Sequence, residues 1–287
     1  MTVHLESSFQ KLERTLYRLK EEEVIYYNEK KDRREAAIYY QKIRLHKPKF
    51  HQLHTMIEDT HTNRIPYFIS KDQFLYTWVD LQPDGSIKSI YSGKLEDPAD
   101  LIRKDLEVSR RYEELQQTML HMRQGKNSHM TPEELKFNAE HIVPQSWFRG
   151  SEPMKGDLHH LFACEPSCNA IRSNYPYHDF PEYNPESPDE TIQNHCGVAA
   201  SELFEPEFGK GTAARAMLYF LLRYPKSIKK SFRSKVNFNL LRKWNQMFPP
   251  DLYEKHRNQA IFHIQGNRNP FIDYPNLAND LYIPLRW

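Results

Sequence analysis

Glu140 and His141 stand side by side in the run KFNAEHIV, which Pro144 closes, and Asn169 follows downstream in EPSCNAIRSN. These three residue types together suit the cutting of a phosphodiester. Such a reaction must strip a proton from water, stabilise the extra negative charge of the phosphorane and neutralise the leaving oxygen. A neutral histidine, with a reference pKa of about 6.5, can take the water's proton. Magnesium can stabilise the phosphorane and the leaving oxygen, and it prefers oxygen ligands, keeps several waters and needs few protein groups. Glu140 offers a carboxylate and Asn169 a side-chain carbonyl. That set is too hard and too sparse for structural zinc; it suits Mg²⁺, with Mn²⁺ or Ca²⁺ as substitutes. By itself the pair decides nothing, because a lone histidine is more often a surface or satisfied core residue. Neighbours on an ideal strand also point to opposite faces, so Glu140 and His141 serve one site only if the backbone bends between them; Pro144 is consistent with the strand ending nearby.

The elements around these residues read as a compact unit. Residues 136–143 are expected to form a short strand, 157–163 (DLHHLFA) a second, and Pro166 to Asn174 a helix, a strand–strand–helix arrangement at about 136–174. Upstream, 74–80 (FLYTWVD) and 87–91 (IKSIY) read as two strands joined by the turn chemistry of Gln82-Pro83-Asp84-Gly85-Ser86, hence a hairpin. Asp97 as cap and Pro98 at the first position open a helix running to about Gln124, closed by Gly125. Residues 5–45 carry Phe9, Leu12, Leu16 and Leu19 at helical spacing, with the charged run Lys30–Glu35 dividing two helices or lying in one long one. Residues 176–195 and 266–275 read as loop, and 210–224 and 227–246 as helices, with Tyr219 to Leu222 as core. The expected fold is α+β: an N-terminal helical extension over 1–50 and a catalytic domain over 51–287.

The chain has 287 residues, 39% hydrophobic and 27% charged, which is ordinary for a water-soluble globular protein. It has no run of about 18 apolar residues to span a membrane. Its first residues lack the order of a secretory signal, so it is expected in the cytoplasm as it stands, or outside the cell if a signal has been removed. The net charge is only +2, yet Phe208 to Pro250 holds no Asp or Glu and ten basic residues, Lys229 and Lys230 among them. A basic face on a near-neutral protein suits a polyanion; a solvated helix surface is the plain alternative. The three cysteines exclude a dense disulfide framework. Cys164, Cys168 and Cys196 are left as buried thiols, as a pair including Cys196, as a redox group, or, with His195, as zinc ligands of loose spacing. Stoichiometric zinc is not expected. GNRNPF at 266–271 reads as a brace under the site in preference to a phosphate clamp.

Several ordered segments carry a resemblance: AEHIVPQSWF, GDLHHLFACEPSCNAIRSNYPY, FEPEFGKGTAARAMLYFLLRY, RNQAIFHIQGNRNPFIDYP and the start YTWVDLQPDGSIKSIYSG. Together, over about 74–279, they resemble the endonuclease I family of secreted and periplasmic bacterial nucleases, of the ββα-metal (His-Me finger) type. The resemblance implies His141 as general base, Glu140 and Asn169 as metal ligands, and Arg172 and Asn174 in the helix motif after the ligand asparagine, with Arg172 expected to contact the nucleic acid. It sets His160 where many members carry an asparagine that orients the catalytic histidine. Some members have a long insertion bearing an arginine that reaches the cleaved phosphate; here only RGSEPMK joins Phe148 to Gly156, which leaves Arg149 or Lys155 as substitutes. The implied activity is endonucleolytic hydrolysis of DNA, and of RNA as well, with little sequence preference and 5′-phosphate ends. The rivals are an RNA-preferring ribonuclease of the same fold and a non-catalytic nucleic-acid-binding module.

Overall fold

A computed structural model describes residues 2–121, 139–183 and 195–284. The fold is α+β, with helices packed around small antiparallel sheets. Two helices, α1 (Thr2–Lys20) and α2 (Glu29–Tyr39), fill the expected N-terminal stretch. The break between them precedes the charged run, because Asn28 caps α2 by accepting from the Lys31 amide at 2.9 Å. Leu12 of α1 is buried beside Leu75, Tyr76 and Val79. α3 (Phe50–Thr60) and α4 (Tyr67–Ile69) follow, and α4 runs straight into a π-helix, Ser70–Val79.

The π-helix corrects the expected hairpin, since FLYTWV is helical and makes no strand. A short apolar run reads the same as a buried strand or a buried helix turn, and here its aromatic and branched residues are covered by α1 on one side and by α5 (Pro98–His121) on another. The turn itself is present: Gln82 donates its amide to Ser86 at 2.7 Å, and Asp84 accepts from the Ser86 amide. It leads into β1 (Ile87–Lys88), whose partner is the later β2 (Leu95–Glu96). Asp97 caps α5 as expected, accepting from the Ala99 amide at 2.7 Å; the expected end of α5 near Gln124, and residues 136–138 of the expected strand, lie outside the described residues.

β3 (Ala139–His141) pairs antiparallel with β4 (Leu161–Ala163), with Glu140 opposite Phe162 and His141 opposite Leu161. Between them lie α6 (Gln145–Phe148) and a 3-10 turn, Leu158–His160, which takes the first half of the expected second strand. α7 (Pro166–Arg172) follows directly. This strand–strand–helix unit sits between two apolar clusters. Leu161 and Ala163 join one, with Leu75, Leu101 and Ile261, while Phe162 joins the other, with Trp147, Phe220 and Trp244. The alternation of a strand thus serves both cores.

A second hairpin, β5 (Gly197–Ala200) with β6 (Leu203–Pro206), leads to α8 (Lys210–Arg223), which buries Tyr219 to Leu222 as expected. The expected helix over 227–246 divides into α9 (Lys230–Arg233) and α10 (Phe238–Met247), because Asn237 caps the second part by accepting from the Leu240 amide. α11 (Leu252–Gln265), α12 (Pro270–Asp273) and α13 (Leu277–Asp280) complete the chain, and α12 lies inside the stretch expected as loop. Among the described residues no helix is long and apolar enough to cross a membrane.

Candidate active site

β3 ends at His141. The next amide, of Ile142, donates to the His160 carbonyl at 2.9 Å; the backbone then bends, and Pro144 starts α6. The strand is regular at the pair itself and bends only after it, so the bend expected between the two residues is not found; Glu140, His141, Gln145, Asn169, Ser173 and Asn174 nevertheless line a single open cleft of about 330 Å³.

The proton on His141 is fixed by its surroundings. Its Nε2 lies 2.8 Å from the Lys155 carbonyl oxygen, which can only accept, so Nε2 carries the hydrogen and Nδ1 keeps the lone pair. The Gln145 amide nitrogen lies 3.3 Å from that Nδ1. Burial, with His160 nearby, pushes the His141 pKa down to about 3, against the opposing effect of the Lys155 carbonyl. The ring is therefore neutral, the form a general base needs.

The loop presenting the Lys155 carbonyl is held from several directions. Glu152 accepts from the amides of Tyr67 and Gly156 at 2.9 and 2.8 Å, and the Ser70 hydroxyl donates to the Gly156 carbonyl at 2.6 Å. A Cβ at position 156 would lie 1.9 Å from the Ile65 carbonyl oxygen, so only glycine permits this approach. His160 acts on the same loop. Its Nε2 donates to the Met154 carbonyl at 2.5 Å, one residue before the carbonyl that holds His141. The two ring centroids lie 5.4 Å apart, tilted and without a hydrogen bond between them, so His160 is linked to His141 only through the loop. Asp157 anchors the loop's end, accepting from Tyr219, Tyr224 and Gln265 at 2.8 to 3.0 Å.

Glu140 is 4% exposed and held by Arg172, singled out in the sequence for another role, and by a tyrosine pair that sequence reading missed. The Tyr91 hydroxyl donates to Oε1 at 2.9 Å, Tyr91 is bonded to the Tyr177 hydroxyl at 2.8 Å, and the Arg172 Nε lies 3.0 Å from the same Oε1. Asn169 donates its side-chain nitrogen to the Ala139 carbonyl at 3.0 Å, which leaves its oxygen as the group to offer the cleft. Nothing in the sequence tied Tyr91 to Glu140, since they are distant along the chain. Gln145 carried a faint signal, as the first polar side chain after His141.

The expected nucleic-acid contacts divide. Arg172 is fully buried and spends its guanidinium on Glu140 and on the carbonyls of Ile142 and Tyr175, so it cannot reach a phosphate; it is an anchor beneath the site. Lys155 is half-buried and serves His141 through its backbone, its ammonium lying 4.9 Å from the centre of the Tyr67 ring. Arg149 is exposed in the left-handed conformation that ends α6. Lys229 and Lys230 are exposed, and the Lys229 amide donates to the Trp147 carbonyl at 2.8 Å. The Trp147 indole in turn donates to the carbonyl of Asn174 on the cleft rim. Others of the ten basic residues are internal: Lys210 pairs with Glu205, Arg215 with Glu254 and Arg223 with Glu58. The GNRNPF segment is a brace, Arg268 pairing with Asp32 of α2 and with Asp273, each at 2.7 Å.

Residues 49–276, which include every element of the cleft, match the family model described as Endonuclease I. The chain belongs to the endonuclease I family. Among curated relatives, an extracellular ribonuclease of Bacillus amyloliquefaciens is 28% identical over 161 residues, covering 51% of this chain and 54% of that protein. An extracellular deoxyribonuclease of Aeromonas hydrophila is 30% identical over 155 residues, covering 47% of this chain and 64% of that one. Endonuclease-1 of Buchnera aphidicola is 29% identical over 128 residues, with coverages of 42% and 47%. The chain thus spans about half to two thirds of the length of the curated relatives it matches, and the family match begins after α2.

Proposed function

We propose that this protein is a metal-dependent endonuclease that hydrolyses phosphodiester bonds of DNA, and of RNA as well, with little sequence preference and 5′-phosphate ends. The observation that carries the reading is the fixed tautomer of His141, with its Nδ1 lone pair, which the Gln145 amide approaches at 3.3 Å, in a cleft shared with Glu140 and Asn169. A water beside Nδ1 loses its proton to the ring as it attacks phosphorus. Lys155 holds the ring in line through its carbonyl, and Arg172 and Tyr91 hold the Glu140 carboxylate in place.

The donors fit magnesium. A carboxylate and an amide oxygen, with the rest of the shell left to water and phosphate, is the sparse hard set this ion takes. Glu140 and Asn169 would hold it, and when bound it supplies positive charge against the phosphorane and the leaving oxygen.

The relatives bear the names of both ribonucleases and deoxyribonucleases, which supports both substrates. Their extracellular and periplasmic placement, with a Cys168–Cys196 disulfide in this chain, supports action outside the cytoplasm in preference to the cytoplasmic expectation. The deciding experiment incubates the protein with plasmid DNA and with total RNA, in Mg²⁺ and then in EDTA. Cleavage in Mg²⁺ that EDTA stops is expected. Two intact substrates would leave the non-catalytic nucleic-acid-binding module, and cleavage of RNA alone would leave the ribonuclease.

A further inference from the structure

Behind α7, on a side chain cluster that the proposed chemistry does not use, Cys168, His195 and Cys196 bring their ligand atoms within 4.8 Å of one another. Cys168 and Cys196 are joined as a disulfide. Glu165 completes a fourth corner: its Oε2 lies 3.9 Å from His195 Nδ1 and 3.7 Å from Cys168 Sγ. A tetrahedral zinc with bonds of about 2.3 Å to sulfur and about 2.0 Å to nitrogen or oxygen has ligand–ligand edges of roughly 3.3–3.8 Å. The gaps to Glu165 already have nearly that length.

We propose that reduction of the Cys168–Cys196 disulfide converts this cluster into a zinc site with Cys168, Cys196, His195 and Glu165 as its four ligands. The reductant is a dithiol. It gives two electrons and two protons to the disulfide and closes to its own disulfide, leaving two thiols on the protein. Zinc then displaces the two thiol protons to solvent and bonds both sulfurs, which move from bonding distance to the edge of a tetrahedron. Two thiolates and an imidazole select zinc over magnesium, which takes oxygen. Zinc has an entry path, since the His195 side chain is 58% exposed. The fourth ligand is held in place, the Ser92 hydroxyl donating to Oε2 of Glu165 at 2.5 Å and Lys94 donating to Oε1 at 3.0 Å. Cys164 is buried beside this cluster and is not one of its ligands.

The test uses the full chain, reduced without oxygen by a dithiol, freed of reductant and exposed to zinc alone. Elemental analysis should find about one zinc per chain in the reduced protein and none in stoichiometric amount in the oxidised one. Cobalt in place of zinc should give the intense visible bands of a tetrahedral ion with thiolate charge transfer, and zinc should abolish them. His195→Ala removes an exposed side chain, so it tests a ligand without disturbing the core; it should lower zinc affinity, and Cys196→Ser should remove the site. Cys164→Ala should leave zinc uptake unchanged, which separates the free thiol from the ligands. No uptake by the reduced chain, equal affinity in His195→Ala, or loss of zinc in Cys164→Ala would each overturn the assignment.

Discussion

At the scale of single residues, the direction of one hydrogen bond sets the chemistry. If the Nε2 of His141 faced the cleft, its proton would point at the water and the ring could not act as a base. The Lys155 carbonyl prevents that. His141→Ala should therefore reduce turnover by about 10²–10⁴, while Mg²⁺ affinity measured by calorimetry stays near the parent value; near-normal turnover would remove His141 as the base. Arg172 illustrates the opposite case, a positive side chain with no role at the surface. Removing one partner of a buried ion pair costs about 3–5 kcal/mol, because the Glu140 carboxylate would remain buried without its cation. Urea unfolding of Arg172→Ala should show a loss of that order. A fully stable variant with weakened DNA binding would return Arg172 to the contact surface. The types Glu, His and Asn were legible in the sequence because their chemistry is local to each side chain. The holders of Glu140 were not, since Tyr91 and Tyr177 reach it through folding of distant segments, and a buried and an exposed arginine read alike in a sequence.

At the scale of elements, the strand–strand–helix unit was legible because each piece has its own punctuation: Pro144 ends one strand, and Pro166 opens the helix. The π-helix was not, because FLYTWV has no internal period to distinguish a strand from a buried helix, and its partners α1 and α5 decide the outcome. The basic stretch is a mixed case. Its charge was plain, yet Lys210, Arg215 and Arg223 are turned inward to acidic partners. Lys226, Lys229, Lys230 and Lys235 remain exposed. If each neutralises one phosphate, log affinity should fall against log salt with a slope of about −3.6, at about 0.9 per contact. Lys229→Glu with Lys230→Glu should reduce the slope to about −1.8 by the same rule and weaken unrelated duplexes alike, since phosphate contacts carry no sequence information. Binding is measured in a His141→Ala background at stepped salt. An unchanged slope removes the segment from the binding surface and leaves the catalytic assignment intact.

At the scale of the whole molecule, the elements around the cleft are fastened by buried polar groups, and this makes stability depend on pH. Asp157 joins α8, α11 and the loop that carries Lys155, and His61, His159 and His160 lie around it. Burial pushes His159 down to about 4 and lowers His160 and His61, with the Asp157 carboxylate opposing the shift in each. Arg223 and Arg64 add to the lowering at His61, while Asp273 opposes it at His159. In the unfolded chain these rings return to about 6.5. Between about 6.5 and 4 the unfolded chain therefore binds protons that the folded chain refuses, so stability rises with pH across that window and is lost as pH falls through it. Each such ring contributes a slope of up to about 1.4 kcal/mol per pH unit. Asp157 itself is held below the usual carboxylate range, so its contribution is present above about 4 and disappears in more acid solution. Urea unfolding at pH 7, 6, 5 and 4 should thus show a steady fall in stability, with a further fall below pH 4. His159→Gln keeps a polar group near the Asn267 carbonyl, which His159 Nε2 meets at 3.2 Å, but cannot titrate. Its slope between pH 6 and 5 should be shallower by about one proton, or roughly 1.4 kcal/mol per unit, even where the variant is less stable at pH 7. A parent protein equally stable at pH 7 and 5, or a variant with the parent's slope, would show that these histidines do not link the fold to acidity.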